Sequence, residues 1–121
     1  MKYDDSNIFA KILRGEIPCK KIYEDEFVLS FYDINPQKKI HALVIPKGKY
    51  VDLDDFNQNA SSNEMVGLLK GINTVAKKLG ISVDTGKGYR ALTNISEDGG
   101  QEVPHLHFHL FGGEKIGKMV Q

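Results

Sequence analysis

The chain has 121 residues, the length of one ordinary domain, of which 40% are hydrophobic and 26% charged. Sixteen Lys and Arg balance sixteen Asp and Glu, so no net charge attracts nucleic acid or an anionic membrane. The single cysteine, Cys19, excludes an internal disulfide, and no apolar run reaches the length of a signal peptide or membrane span. We therefore expect one cytoplasmic domain over residues 1–121, with no nucleic-acid or membrane partner.

The first half of the chain predicts a short helix followed by strands. Asp5 or Ser6 can cap the helix. Its apolar stripe consists of Ile8, Phe9, Ile12 and Leu13. Two strands around an acidic turn follow in KKIYEDEFVLSFYDINPQ, where apolar residues alternate. A third strand, KIHALVIPK, is apolar on both faces, which indicates that both are covered.

The second half predicts a long helix and two more strands. SSNEMVGLLKGINTVAKKLG has apolar residues at helical spacing, with Ser61 and Glu64 forming a capping box and Gly80 at the C-terminal end. GYRALTNIS and PHLHFHLFGG then read as strands.

Strands that follow one another directly indicate an antiparallel sheet rather than a parallel one. We predict an α+β fold: about five antiparallel strands, one long helix and a short N-terminal helix. Residues 6–113 form the core of this domain, and residues 114–121 a C-terminal tail.

Three of the four histidines, His105, His107 and His109, alternate with apolar residues in the last predicted strand. On a strand they would share one face, about 6.5–7 Å apart at the backbone. Imidazole serves as a base, acid, nucleophile or metal ligand near neutral pH. Three interpretations follow: a merely polar strand face, a zinc site to which His41 adds a ligand, or metal-free nucleophilic catalysis.

Polar residues elsewhere favour the catalytic interpretation. The loop before the last strand contains Gly99 and Gly100, which allow backbone N–H groups to approach a phosphate closely. Asn94 offers an amide that can orient an imidazole or a phosphate oxygen. Asp33 can bind a ribose diol, although a turn residue before Asn35 is an equally good interpretation.

The stretch HLHFHLF has the alternating His and apolar pattern of the histidine triad superfamily, which the chain resembles. The flanks NIFAKILRGEIPCKKIYEDEFVLSFYDINPQKKIHALVIPK, GYRALTN and GGQEVPHLHFHLFGG resemble its Hint branch, the histidine triad nucleotide-binding proteins. The resemblance covers about residues 6–113. It implies an α+β fold, a homodimer and no cofactor. It also implies hydrolysis of purine nucleoside phosphoramidates, such as AMP joined to an amine, through a covalent nucleotidyl-histidine.

The resemblance also implies roles for single residues. His107 corresponds to the nucleophile, His109 to the histidine that hydrogen-bonds the phosphate or leaving group, and His105 to the one that supports the orientation of the nucleophile. Asn94 matches a polar contact on the phosphate side. The implied nucleotide-binding residues are Asp33, Ile34, Ile8, Phe9, Phe31, His41, Gly100, Gln101, Glu102 and Val103.

Departures from the family pattern leave alternatives open. Glu102 replaces a small hydroxyl residue of some relatives, and Pro104 a common aromatic. Asn7 and Ala10 stand where some bacterial relatives carry a zinc-binding Cys-x-x-Cys, so we predict no metal. The tail lacks the aromatic residues that set substrate choice in some relatives. The alternatives are a nucleotide-binding or interaction protein with weak catalysis, and a dinucleoside polyphosphate hydrolase.

Overall fold

The structure, a computed structural model, describes residues 2–119; Met1, Val120 and Gln121, which the predicted domain and tail include, lie outside the described residues. Its elements are α1 (Ile8–Leu13), β1 (Lys21–Glu24), β2 (Val28–Tyr32), β3 (Ile40–Pro46), α2 (Leu53–Asn59), α3 (Ser62–Lys78), β4 (Arg90–Leu92) and β5 (Phe108–Gly112). The strands form one antiparallel sheet in the order β1-β2-β3-β5-β4, which confirms the predicted α+β fold. None of the helices within residues 2–119 is long and apolar enough to cross a membrane.

One face of the sheet, the α3 face, is apolar and packs against α3. Side chains alternate along each strand, so every second residue of β2, β3 and β5 points to this helix. The buried cluster on this face consists of Val28, Ala42, Val44, Phe56, Leu68, Ile72, Val75, Leu106 and Leu110. A Cβ on Gly71 would come within 2.8 Å of the Val28 side chain, so the helix lies directly against β2.

The opposite face, the histidine face, is divided between apolar and polar residues. Its apolar part contains Phe9 of α1, Leu29 and Phe31 of β2, and Leu43 and Ile45 of β3. The remaining part contains all four histidines. Alternate side chains of β3 therefore lie on different faces of the sheet, and both faces of this strand are covered, as predicted.

The predicted ends of α3 are confirmed, whereas the predicted start of α1 is wrong. Ser61 and Glu64 form a reciprocal capping box, and Gly80 after the helix has a φ of 71°. The N-cap of α1 is Asn7, because its side chain accepts a hydrogen bond from the N–H of Ala10 at 2.9 Å. Ser6 instead donates to the Asp4 carboxylate.

The last strand begins four residues later than predicted, at Phe108, so His105 and His107 precede it. Pro104 has no N–H to add to the sheet. The N–H of His105 bonds the carbonyl of Val103 at 2.9 Å, and that of Leu106 bonds the carbonyl of Tyr50 at 2.8 Å. These bonds hold the segment in place without a strand partner.

Candidate active site

Two histidines from neighbouring strands form a hydrogen-bonded pair on the histidine face. His109 lies on β5 opposite Leu43 of β3, and His41 lies two residues from Leu43 on β3, so the two histidines are diagonal neighbours on one face. Their ring atoms His41 Nε2 and His109 Nδ1 are 2.9 Å apart. The pair joins residues 68 positions apart in the chain.

The partner of His41 decides which nitrogen of each ring carries a proton. The backbone N–H of Gln37 lies 3.1 Å from His41 Nδ1 and can only donate, so this nitrogen is bare. A neutral His41 therefore carries its proton on Nε2 and donates it to His109 Nδ1. The proton of a neutral His109 then resides on Nε2. Burial lowers the pKa of both rings, to about 4 for His109, where charge repulsion from His107 and His41 adds, so both are neutral at pH 7.

His107 has the opposite arrangement. Its Nδ1 lies 2.7 Å from the backbone carbonyl of His105, which can only accept. The proton of the ring is therefore on Nδ1, and Nε2 has a free electron pair. Burial lowers the pKa of His107, and the His105 carbonyl and the carboxylates of Asp33 and Glu102 oppose this only in part. The ring is neutral at pH 7 and its Nε2 is nucleophilic.

His105 supports His107 from beneath. It is fully buried, and its Nε2 lies 2.9 Å from the carbonyl of Pro46 at the end of β3, to which it donates. Burial lowers its pKa to about 4. The hydroxyl of Thr93 donates to the backbone carbonyl of His107 at 2.7 Å. Main-chain and side-chain bonds thus fix the position of the His107 ring.

In the described part of the chain, the Nε2 atoms of His107 and His109 are the ring nitrogens that remain without a hydrogen-bond partner. Their rings lie 5.1 Å apart between centroids, and neither Nε2 has a partner within residues 2–119. In that part of the chain, every side-chain nitrogen or oxygen that is fully buried has a hydrogen-bond partner, so these two are not fully buried. The face therefore presents an electron pair beside an N–H donor.

The apolar and acidic residues predicted for nucleotide binding differ in exposure. Phe9, Phe31 and Asp33 lie on the histidine face, whereas Ile8 and Ile34 are exposed. The Phe9 ring contacts the His107 ring edge-on, with centroids 5.0 Å apart. Phe9 also contacts the Phe31 ring edge-on, with centroids 5.6 Å apart. Asp33 Oδ2 lies 3.5 Å from His41 Nε2, while Oδ1 accepts from the N–H of Asn35, so Asp33 is both a turn residue and part of the site. Ile8 is half exposed, and Ile34 is 93% exposed on the loop after β2.

The loop before the triad is held mainly by Gln101. Its amide nitrogen donates to the carbonyls of Val51 at 2.6 Å and Val103 at 3.0 Å, and its oxygen accepts from the N–H of Ser96 at 3.0 Å. This side chain is fully engaged within the protein, and the backbone N–H of Gln101 donates to the Ser96 carbonyl at 3.0 Å. Gly100 has a φ of 75°, a conformation that favours glycine.

The remaining predicted residues flank this loop and the triad. Asn94 directly follows Thr93 and is half-buried. Glu102 is exposed, and its charge reaches His107. Val103 packs beside the apolar cluster of the histidine face.

One cluster has the spacing of metal ligands. Ligand atoms of Asp33, His41 and His109 lie within 4.8 Å of one another, a different set from the three triad histidines. A metal-bound histidine normally donates its second N–H to an acceptor. His41 Nδ1 instead faces the N–H donor of Gln37, so its tautomer is the wrong one for a metal on Nε2. The donor set does not fit a resident ion.

A shallow surface depression of about 700 Å³ lies at the far edge of the sheet, around β1. Three of its charged groups pair with one another: Glu24 is 2.8 Å from Lys21 and 2.7 Å from Lys47. Strands β2 and β3 separate it from β5. The histidine face, where unpaired reactive nitrogens meet, is therefore the candidate site.

Residues 14–116 match the HIT domain family. The chain belongs to this family. A HIT-like protein of Azospirillum brasilense is 53% identical over 118 residues, which is 98% of this chain and 94% of that protein. The resemblance inferred from the triad is thus confirmed for the superfamily.

Solved HIT structures share the fold. A HIT family hydrolase from Clostridium thermocellum has a TM-score of 0.86 and 37% identity, covering 98% of this chain and 99% of its own. A histidine triad nucleotide-binding protein from Candida albicans has a TM-score of 0.76 and 31% identity, covering 96% of this chain and 85% of its own. The HIT chain described here therefore has the fold of a known hydrolase.

Several groups that shape the site were missed at the sequence level. Most are backbone atoms: the N–H of Gln37 and the carbonyls of Pro46 and His105. Backbone groups leave no mark in a sequence. The role of Thr93 could have been predicted because it adjoins Asn94. Nothing in the sequence pattern predicts the hydrogen bond between Tyr3 and His105.

Proposed function

We propose that this HIT protein is a purine nucleoside phosphoramidate hydrolase of the Hint branch. One observation carries the proposal: His107 and His109 present an electron pair and an N–H donor side by side, with each protonation state set by its own partner. Phosphoryl transfer from an amine needs both a nucleophile for phosphorus and a donor for the leaving group.

The reaction has two displacements. In the first, His107 Nε2 attacks the α-phosphorus; the N–P bond to His107 forms and the P–N bond to the amine breaks. His109 Nε2–H hydrogen-bonds the departing nitrogen or a phosphate oxygen. In the second, water attacks the nucleotidyl-histidine and the monophosphate leaves. The amine takes up one proton from solvent in the first step; in the second the N–P bond to His107 breaks and the attacking water releases one proton to solvent, so the histidines end as they began.

The surroundings support a nucleotide as the substrate. Phe9 and Phe31 offer an apolar wall beside His107, suited to a purine, and Asp33 offers a carboxylate suited to a ribose diol. The similarity to a nucleotide-binding protein from Candida albicans points the same way.

We further propose that catalysis needs no metal, because the His41 tautomer opposes one. We also expect a homodimer. In support, β4 is an edge strand that pairs only with β5 among the described residues, so its outer side is open to a second copy. Sedimentation of the full chain tests this state, and a monomer at micromolar concentration contradicts it.

The decisive experiment uses purified full-length protein with adenosine 5′-phosphoramidate and an AMP–amine conjugate, with and without EDTA. His107→Asn is the sharpest variant, because its amide can still donate to the His105 carbonyl but cannot attack phosphorus. We expect at least about a thousandfold loss of kcat, the scale of removing a catalytic nucleophile. His107→Ala, which also loses the bond, is the matched comparison.

The outcomes separate the candidate functions. EDTA-resistant turnover that requires His107, with an AMP adduct seen by mass spectrometry of the rapidly quenched wild type, supports the proposal. AMP binding without turnover favours a nucleotide-binding protein. Faster cleavage of a dinucleoside polyphosphate than of any phosphoramidate favours the polyphosphate hydrolase. Turnover that survives in His107→Asn contradicts the assigned nucleophile.

A further inference from the structure

The N-terminal segment reaches the triad through one side chain, Tyr3. Its hydroxyl lies 2.6 Å from Nδ1 of His105, 102 residues away, and the two rings meet edge-on at 5.6 Å between centroids. His105 is fully buried, so this nitrogen has no access to water. Tyr3 therefore supplies the partner that solvent cannot.

The direction of this hydrogen bond follows from the other side of the ring. The Pro46 carbonyl can only accept, so His105 Nε2 carries the proton and Nδ1 is bare. Tyr3 must therefore be the donor. Partial burial raises the pKa of the Tyr3 hydroxyl, so it keeps its proton at neutral pH. Donor and acceptor on opposite sides hold one tautomer and prevent the ring from flipping.

The segment that carries Tyr3 is anchored on both sides. The Asp4 carboxylate accepts from the backbone N–H and the hydroxyl of Ser6, at 2.9 and 2.7 Å. Asp5 is 3.0 Å from Lys49, just beyond β3, and its carbonyl accepts from Arg14 at 2.9 Å. Tyr3 thus sits between the start of α1 and the end of β3, directly over His105.

We propose that Tyr3 is a positioning residue, which fixes the ring of His105 and, through the His105 carbonyl, the proton on His107 Nδ1. The chain of contacts runs from the Tyr3 hydroxyl to the His105 ring, along the His105 main chain to its carbonyl, and to His107 Nδ1 at 2.7 Å. The expected effect of Tyr3 on turnover rests on the proposed function, whereas its expected effect on the histidine rings does not.

The test compares Tyr3→Phe with Tyr23→Phe. The control loses a phenol hydroxyl that donates to Asp25 at 2.8 Å, on β1 and remote from the histidines. Both variants are checked for folding by circular dichroism and thermal unfolding. The readouts are the ring nitrogen resonances of His105 and His107 in ¹⁵N-labelled full chain, and kcat and KM for adenosine 5′-phosphoramidate.

In Tyr3→Phe we expect the His105 Nδ1 resonance to move downfield, as a bare nitrogen does when it loses its donor, and the His107 Nδ1–H signal to shift or broaden. We expect kcat to fall about fivefold with KM little changed, the scale of one lost hydrogen bond. Tyr23→Phe should match the wild type in all of these.

Unmoved resonances in Tyr3→Phe overturn the inference, and so does an unchanged kcat in an enzyme that turns over. If the wild type hydrolyses no phosphoramidate, the proposed function fails while the resonances still decide the role of Tyr3. A fall in kcat equal to that in Tyr23→Phe also overturns it, because the loss is then not specific to the triad.

Discussion

The two faces of the sheet use the same strands for opposite purposes. On the α3 face, β3 and β5 contribute Ala42, Val44 and Leu110, which are fully buried and apolar. On the histidine face, the alternate residues of these strands include His41 and His109. The first face stabilises by removing apolar area from water. The second buries polar rings, each of which needs a hydrogen-bond partner.

Burying the imidazoles costs little stability, because each buried ring nitrogen that lacks water has a hydrogen-bond partner in the protein. Every buried ring on the histidine face has a defined partner: Pro46 and Tyr3 for His105, the His105 carbonyl for His107, and Gln37 for His41. The α3 face is apolar apart from Ser30, whose hydroxyl donates to the Leu43 carbonyl at 2.8 Å. Changes there should affect stability alone, whereas changes on the histidine face should affect protonation and turnover.

The largest effect on stability is expected on the α3 face. Leu68 of α3 is 2% exposed within the apolar cluster, and Leu68→Ala should lower the free energy of unfolding by about 2–5 kcal/mol. The neighbouring Leu69 is 67% exposed, and Leu69→Ala should change the free energy of unfolding by less than about 0.5 kcal/mol. Urea unfolding measures both. Equal effects of the two substitutions would contradict the assigned faces.

The histidine face should make stability depend on pH. Folding lowers the pKa of His105 and His109 from 6.5 to about 4, so between these values the unfolded chain binds more protons than the folded one. The free energy of unfolding should therefore fall as the pH is lowered through this window, by up to about 1.4 kcal/mol per pH unit for each ring. Urea unfolding at intervals from pH 8 to pH 4 measures the slope.

A variant sharpens this prediction. His105→Gln removes one of the two rings, so its stability should fall less steeply over the same pH range than that of the wild type. Ring resonances give an independent check. A midpoint near 6.5 for either His105 or His109 in the folded protein would contradict the burial argument.

A smaller effect is expected from His41→Phe. The ring can still pack on Phe111, whose centroid lies 4.3 Å from that of His41, but His109 Nδ1 loses its donor. His109 is then free to adopt either tautomer, and kcat should fall about tenfold, the scale of one buried hydrogen bond. Single-turnover kinetics measure the chemical step.

The leaving group provides the control for His41→Phe. An aryl amine departs with less help from a proton donor, so the deficit should shrink with such a substrate. A deficit that is the same for aryl and alkyl amines would show that His41 does not act through His109.

Local chemistry made much of the fold predictable. The capping box of Ser61 and Glu64 and the helical spacing that follows predicted α3, alternation predicted β2, and a run that is apolar on both faces predicted β3. Helix α2 was missed because it has seven residues and buries only Phe56, too little for a periodic pattern. That residues 1–121 form a single domain with a core over 6–113 stays a prediction.

The sequence predicted which histidines share a face, but not the bonds that connect them. Alternation placed the histidines on one face, yet two of them lie before β5, held by bonds to Tyr50, Val103 and Thr93 that only the folded chain creates. The pairing of His41 with His109 and of Tyr3 with His105 spans 68 and 102 residues. No local pattern encodes contacts of that kind.

The alternation along β5 also makes the site a monitor of correct folding. A slip of one residue against β3 would exchange His109 and Phe111 with Phe108 and Leu110. The His109 imidazole would then enter the apolar interior beneath α3, and Phe108 and Leu110 would take the places of His109 and Phe111 on the histidine face. Such a misaligned molecule would be unstable and, under the proposed function, inactive. Turnover per mole of protein would then report the share of correctly aligned molecules in a preparation.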